Sequence, residues 1–177
     1  MPLCPFCGAS NIEGVDECDE CGQSLSDLSV PRSASTIERS LYKDRIRMLW
    51  PRTALSVAPN KPVGEVLQLL VNNTIGCVVV AENDKVVGIF TERDAILKLG
   101  VQAKELSARP ISEFMTANPQ TLTAEDKLVF ALQRMDLGGY RHVPLVDEKG
   151  LLTGIISVRD ILQYFMQKVS SLSAGDC

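Results

Sequence analysis

Two stretches of the chain carry the same reactive side chains at the same spacing: Gly88-Ile89-Phe-Thr91-Glu-Arg93-Asp94 and Gly154-Ile155-Ile-Ser157-Val-Arg159-Asp160. Glycine, hydroxyl, arginine and carboxylate all return 66 positions on. A hydroxyl three residues ahead of a carboxylate at a strand-to-helix junction is a capping box, in which both side chains satisfy open N–H groups of the first helical turn. That structural role alone accounts for the pair. Three further features also suit a ligand bearing ribose and phosphate. A glycine three residues earlier interrupts an apolar strand and lets another body approach the backbone. A helix N-terminus offers partial positive charge and open N–H groups to a phosphate. An exposed carboxylate there can accept hydrogen bonds from both hydroxyls of a ribose.

A second constellation lies at the N-terminus, where Cys4-Pro-Phe-Cys7-Gly8 and Cys18-Asp-Glu-Cys21-Gly22 form two Cys-x-x-Cys-Gly knuckles. Each aims two thiolates at one point, and together Cys4, Cys7, Cys18 and Cys21 complete a tetrahedral sulfur shell for structural zinc. The alternatives are a disulfide pair or a redox dithiol. A redox motif needs a βαβ context that roughly 25 residues cannot build, and disulfides are unusual without a secretion signal. With few apolar residues in the segment, the metal would supply most of its folding free energy. The segment, residues 1–24, resembles a short zinc ribbon.

The elements that must position these groups follow from periodicity. Residues 25–35 are serine-rich and aperiodic, a flexible linker. Residues 36–50 read as a lead-in helix stopped by Pro51. Val63, Val66, Leu67 and Leu70 form one helical stripe, answered by Leu128, Ala131, Leu132 and Met135. Strands over 77–81 and 86–90, with a helix from Thr91 to about Leu99, are matched by strands over 143–146 and 151–156 and a helix from Ser157 to about Phe165. The helices are offset by 65 and the strands by 66, which puts one extra residue of the second copy at its helix–strand junction. The expected fold class is α+β: two β-α-β-β-α repeats, residues 51–109 and 110–170, packed sheet to sheet as a pair and followed by a tail over 171–177.

The repeats resemble CBS domains, whose paired form is a Bateman module. The resemblance runs from about Met48 to Phe165 and is carried by Phe114-Met-Thr-Ala-Asn-Pro119, by Gly139-Tyr-Arg-His-Val-Pro-Leu-Val146 and by the repeated glycine–hydroxyl–carboxylate motif. It implies that Thr91 and Asp94 serve one adenosine-binding cleft and Ser157 and Asp160 another, hydroxyl toward the phosphates and carboxylate on the ribose. It places Ile89 and Ile155 against the adenine, and Ile75-Gly76 and Arg141-His142 along the same clefts. Arg93 and Arg159 face either phosphate or solvent. The first repeat departs from the pattern, having Trp50-Pro51-Arg52-Thr53 where the second has Met115–Pro119, so its cleft wall is expected to differ. The resemblance further implies a homodimer formed through the helices bearing Ala95, Ile96, Leu99, Ile161, Leu162 and Phe165.

Composition narrows the function. No apolar run approaches the roughly 18 residues of a membrane helix, nor does the N-terminus read as a signal peptide, so a cytoplasmic protein without membrane association is the expectation. Residues 1–30 hold six of the 22 acids and none of the 18 Lys and Arg, leaving the remainder at about +2. The leading expectation is a non-catalytic regulatory sensor of AMP, ADP, ATP or S-adenosylmethionine, with the zinc ribbon contacting a protein partner. A nucleic-acid-binding protein acting through the ribbon is one alternative, disfavoured because phosphate-backbone affinity comes from Lys and Arg. A structural dimerisation module with empty clefts is another. No nucleophile–base constellation supports an enzyme.

Overall fold

The fold is that of a computed structural model describing residues 4, 9–12, 15–21, 25 and 36–173. Cys7, Gly8, Gly22, the linker beyond residue 25 and the tail from residue 174 lie outside the described residues. The chain divides into two units, Met1–Asp44 and Arg45–Cys177. The first holds the cysteine segment and helix α1 (Thr36–Lys43).

The lead-in helix therefore ends at Lys43 instead of continuing to residue 50. In the second unit Ile46–Leu49 forms a 3-10 turn, closed by Trp50 in the left-handed region (φ 52°). The reason lies in the backbone amides, which must be paired somewhere. Those of Ile46 and Arg47 donate to the carbonyls of Asp126 (2.8 Å) and Ala124 (2.9 Å), drawing the chain onto another loop and burying Ile46.

The repeats unfold in order as β1 (Ser56–Val57), α2 (Val63–Asn72), β2 (Cys77–Glu82), β3 (Lys85–Thr91) and α3 (Glu92–Asp94), then β4 (Thr116–Ala117), α5 (Leu128–Gly138), β5 (His142–Val146), β6 (Leu152–Ser157) and α6 (Val158–Ser173). Between α3 and β4 the chain makes a π turn (Ala95–Leu99), a 3-10 turn (Gly100–Gln102) and α4 (Ala103–Leu106). The first sheet runs β1-β2-β3-β4. The second, β5-β6, is flanked by bridges Leu122↔Leu145 and Arg52↔Ile155 that reproduce the same order. These lead-in segments are exchanged between repeats: β4, which opens the second, pairs with β3 of the first, and Arg52, at the opening of the first, pairs with β6 of the second. Among the described residues no helix is long and apolar enough to cross a membrane.

Strand β2 is buried at four consecutive positions, so both of its faces are covered. Val78 and Val80 join Phe90 and the α2 stripe of Val63, Val66 and Leu70 in one core, while Val79 packs on the opposite face. The first hairpin closes on Asn83-Asp84, both at positive φ (50° and 62°), as a two-residue type I′ turn requires. The second uses the longer Asp147–Leu151, where Asp147 Oδ1 accepts from the N–H groups of Lys149 and Leu151. The extra residue of the second copy lies here, not at the helix–strand junction. Cys77 pairs with Thr91 as His142 pairs with Ser157, so Gly76-Cys77, not Ile75-Gly76, corresponds to Arg141-His142. A hairpin tip tolerates an added residue because it lies outside the ladder.

Two residues expected on the dimer face are core instead: Leu99 and Ile161 are buried. The same segments expose Ile96, Leu97 and Val101, and Leu162, Met166 and Val169.

Candidate ligand clefts

The first motif folds as a full capping box, and the second closes the same hydroxyl–carboxylate cap. Thr91 Oγ1 accepts from the Asp94 N–H (3.2 Å), while the Thr91 N–H (3.0 Å) and hydroxyl (2.6 Å) both donate to Asp94 Oδ2. In the second repeat the N–H (2.7 Å) and hydroxyl (2.6 Å) of Ser157 donate to Asp160 Oδ2 in the same way. The cap thus consumes one carboxylate oxygen and leaves Oδ1 pointing away from it. Each Asp side chain is 13% exposed.

The partners of Oδ1 differ. Asp94 Oδ1 receives Lys98 Nζ (2.8 Å), one turn along the same segment, and the hydroxyl of Thr116 (3.2 Å) from β4. Lys98 is also bound to the Phe114 carbonyl (2.8 Å). Asp160 Oδ1 receives Nη2 of Arg52 (2.5 Å), from 108 positions away in the chain. Burial pushes both carboxyls up, but the bonds outweigh it. Lys98 and Thr91 hold Asp94 below the ordinary carboxylate range, as Arg52 and Ser157 do Asp160.

Exchanged lead-in segments wall each cleft from the other repeat. A Cβ on Gly88 would collide with the Met115 side chain, and one on Gly154 would stand 3.0 Å from the Arg52 carbonyl oxygen and 3.6 Å from Pro51 Cβ. The glycines are there because a neighbouring strand needs the room. The departure at Trp50–Thr53 accordingly alters the wall of the Ser157–Asp160 cleft, not that of its own repeat, because strand pairing carries it across.

Of the remaining expected residues, Ile89 is buried and Ile155 half-buried on their strands, while Ile75 packs against the first repeat's core. Arg93, Arg141 and Arg159 are exposed. His142 does not stay within one cleft: its Cε1 lies 3.1 Å from where a Gly76 Cβ would be, with Glu92 Oε2 3.5 Å from the same point. Burial lowers the His142 pKa, Asp160 and Glu92 oppose, and Arg52 and Arg141 reinforce it. Cys77 is buried core, its thiol pushed up to about 12 by burial and Glu92. Sequence reasoning missed Lys98, Thr116 and Glu92, and named Arg52 only as part of a departure.

In the N-terminal unit the sulfurs of Cys4, Cys18 and Cys21 all lie within 4.8 Å of one another. Cys4 Sγ and Cys21 Sγ are 3.7 Å apart. A disulfide would need about 2.05 Å. Tetrahedral zinc with Zn–S bonds of about 2.3 Å separates its sulfurs by about 3.8 Å, so the spacing fits the metal. Buried Asn11 ties the knuckles together, donating to the Ala9 carbonyl (2.9 Å) and accepting from the Asp19 N–H (3.3 Å).

Two interlocked halves, each with a capped carboxylate at its seam, define a tandem-repeat α+β module. The CBS domain matches residues 50–100 and 111–167, and the chain belongs to the CBS domain family. It is 31% identical over 106 residues to a 17.7 kDa protein of Acidianus ambivalens, covering 59% of this chain and 63% of that protein. Against two CBS domain-containing proteins of Arabidopsis thaliana it spans 27% and 30% of their length. The crystal structure of the CBS-domain containing protein ATU1752 from Agrobacterium tumefaciens superposes with a TM-score of 0.61 at 31% identity, covering 67% of this chain and 94% of that one. CBSX2, solved in complex with AMP, shares the fold at 21% identity and a TM-score of 0.61, over 70% of this chain and 96% of that one.

Proposed function

We propose that this chain is a non-catalytic regulatory module that binds an adenosine-containing ligand, AMP, ADP, ATP or S-adenosylmethionine, in the two clefts of its CBS pair. The observation that carries this reading is the division of labour within each carboxylate. Oδ2 is spent on the helix cap, while Oδ1 stands at the seam beside a helix N-terminus, where a ribose hydroxyl and a phosphate can be met together. The AMP complex of CBSX2 indicates that the shared fold can accommodate such a ligand.

A thermal-shift and calorimetric series on the full chain with AMP, ATP and S-adenosylmethionine tests it. Binding at about 100 times the dissociation constant stabilises the folded state by about 2.7 kcal/mol, a clear rise in melting temperature. Absence of any shift at millimolar ligand would favour a structural module with empty clefts. That second reading draws on the fact that both carboxylates already have basic partners.

In this proposal Cys4, Cys7, Cys18 and Cys21 hold one zinc per chain, which organises a segment with little core of its own and leaves it free to meet a protein partner. Elemental analysis of reduced protein should find one equivalent, and a metal-free folded segment would refute it. Two chains associate through the exposed Ile96, Leu97, Leu162 and Met166. Light scattering at tens of micromolar should then give twice the chain mass.

A further inference from the structure

We infer that Arg52 decides which adenosine compounds the second cleft accepts: it occupies the ribose-binding oxygen of Asp160 until a ligand phosphate draws it away, so this cleft selects phosphorylated nucleosides over uncharged ones. The inference rests on the adenosine reading above and adds to it the ligand class of one cleft.

The competition is for one atom. Asp160 Oδ2 already accepts two bonds from Ser157, and Arg52 Nη2 holds Oδ1 at 2.5 Å. A ribose hydroxyl arriving at Asp160 therefore meets a guanidinium on the oxygen it needs. A neutral nucleoside would break the ion pair and return nothing to Arg52. A phosphorylated one offers a replacement anion within the same cleft, and the planar guanidinium is suited to bind it bidentately.

Arg52 can make that exchange because its side chain and backbone are held differently. The backbone is fixed, its carbonyl accepting from the Ile155 N–H (3.0 Å), so the residue stays at the cleft whatever its side chain does. The side chain is 63% exposed, and solvent-exposed charges pair weakly. Arg141 and Arg159, both exposed, add positive charge on the second repeat.

The first cleft has no such exchange. The residue that stands where Arg52 does by strand pairing is the uncharged Thr116, which pairs with Ile89 as Arg52 pairs with Ile155, and Lys98 is anchored by the Phe114 carbonyl as well as by Asp94. Thr116 also donates to Asp94 Oδ1, so that oxygen keeps a partner when Lys98 leaves it. Selection by phosphate is thus a property of the second cleft.

The test is calorimetric titration of AMP and adenosine into the full chain and its Arg52→Ala variant, with Asp94→Ala in both so that the second cleft alone reports. Arg52→Ala should lower the preference for AMP over adenosine by about tenfold or more, AMP weakening while adenosine holds or tightens on the vacated Oδ1. Arg52→Lys, which keeps the charge without the fork, should restore part of the preference. Raising the salt should erode it in the parent more than in Arg52→Ala. Equal weakening of both ligands, or an unchanged preference, would overturn the inference while leaving the adenosine reading intact. A parent chain that binds neither compound would overturn this inference, and the adenosine reading falls with it only if ATP and S-adenosylmethionine also fail to bind.

Discussion

The two clefts share a backbone and differ in what answers the carboxylate. In both caps the backbone N–H and the hydroxyl donate to the carboxylate, with the hydroxyl 2.6 Å from Oδ2 in each. Around them the first cleft takes its positive charge from its own repeat, a lysine of the same helical segment holding Asp94, while Met115 and Thr116 of the other repeat wall it. The second is completed from outside, by an arginine delivered across the pair. The helices beyond diverge as well, a broken π and 3-10 path after Asp94 against sixteen continuous residues in α6. A repeated motif therefore fixes where a carboxylate stands, while residues the motif does not contain, Lys98 in one cleft and the exchanged Arg52 in the other, decide the charge it faces.

The sharpest way to break this comparison is to remove each carboxylate in turn. Asp160→Ala should weaken AMP or ATP binding by about tenfold to a hundredfold, about 1.5–3 kcal/mol, and Asp94→Ala by less. Loss of nucleotide binding in Asp94→Ala with full binding in Asp160→Ala would reverse the ranking of the clefts. The glycines come next. Gly88→Ala forces its methyl into Met115 and should cost about 1–3 kcal/mol of unfolding free energy, partly recovered when Met115→Ala is added. Gly154→Ala needs only a small retreat of the Arg52 carbonyl and should cost less, under about 1 kcal/mol. Equal costs by chemical denaturation would mean the two walls are equally tight.

The smallest effect is a pH dependence at the boundary between the repeats. Because burial lowers the folded-state pKa of His142 below 6.5, the native chain binds fewer protons there than the unfolded chain. Stability attributable to this group accordingly rises with pH up to about 6.5 and falls on acidification below it. His142→Gln should flatten the melting temperature between about pH 5 and 6.5. Identical slopes in the two proteins would show that the imidazole carries no such linkage.

Much of this arrangement was legible in the sequence. The hydroxyl–carboxylate spacing predicted the caps, and the stripe of Val63, Val66 and Leu70 predicted the buried face of α2. The register of the repeats was harder to read, for a physical reason. Cys77-Val-Val-Val and Val143-Pro-Leu are buried on both faces, so a one-residue slip moves no polar side chain into the core and leaves no trace in the pattern. The bond between Arg52 and Asp160 was illegible for a different reason. It depends on the pairing of Arg52 with Ile155, remote in the chain, and local periodicity carries no information about which edge a short segment will join. The turn at Ala95–Leu99 also escaped, since Ala-Ile-Leu-Lys-Leu reads as ordinary α-helix.

The crossed lead-in strands have a consequence for cutting the chain. A fragment ending near residue 109 would keep Thr91 and Asp94 but lose Met115–Ala117, leaving the β3 edge bare. It would also retain Arg52 without the β6 strand that Arg52 bridges. An orphaned edge and an orphaned strand in one polypeptide are complementary. Two such fragments can each lend its opening segment to the other, so a severed half is expected to seek a domain-swapped twin in place of folding alone.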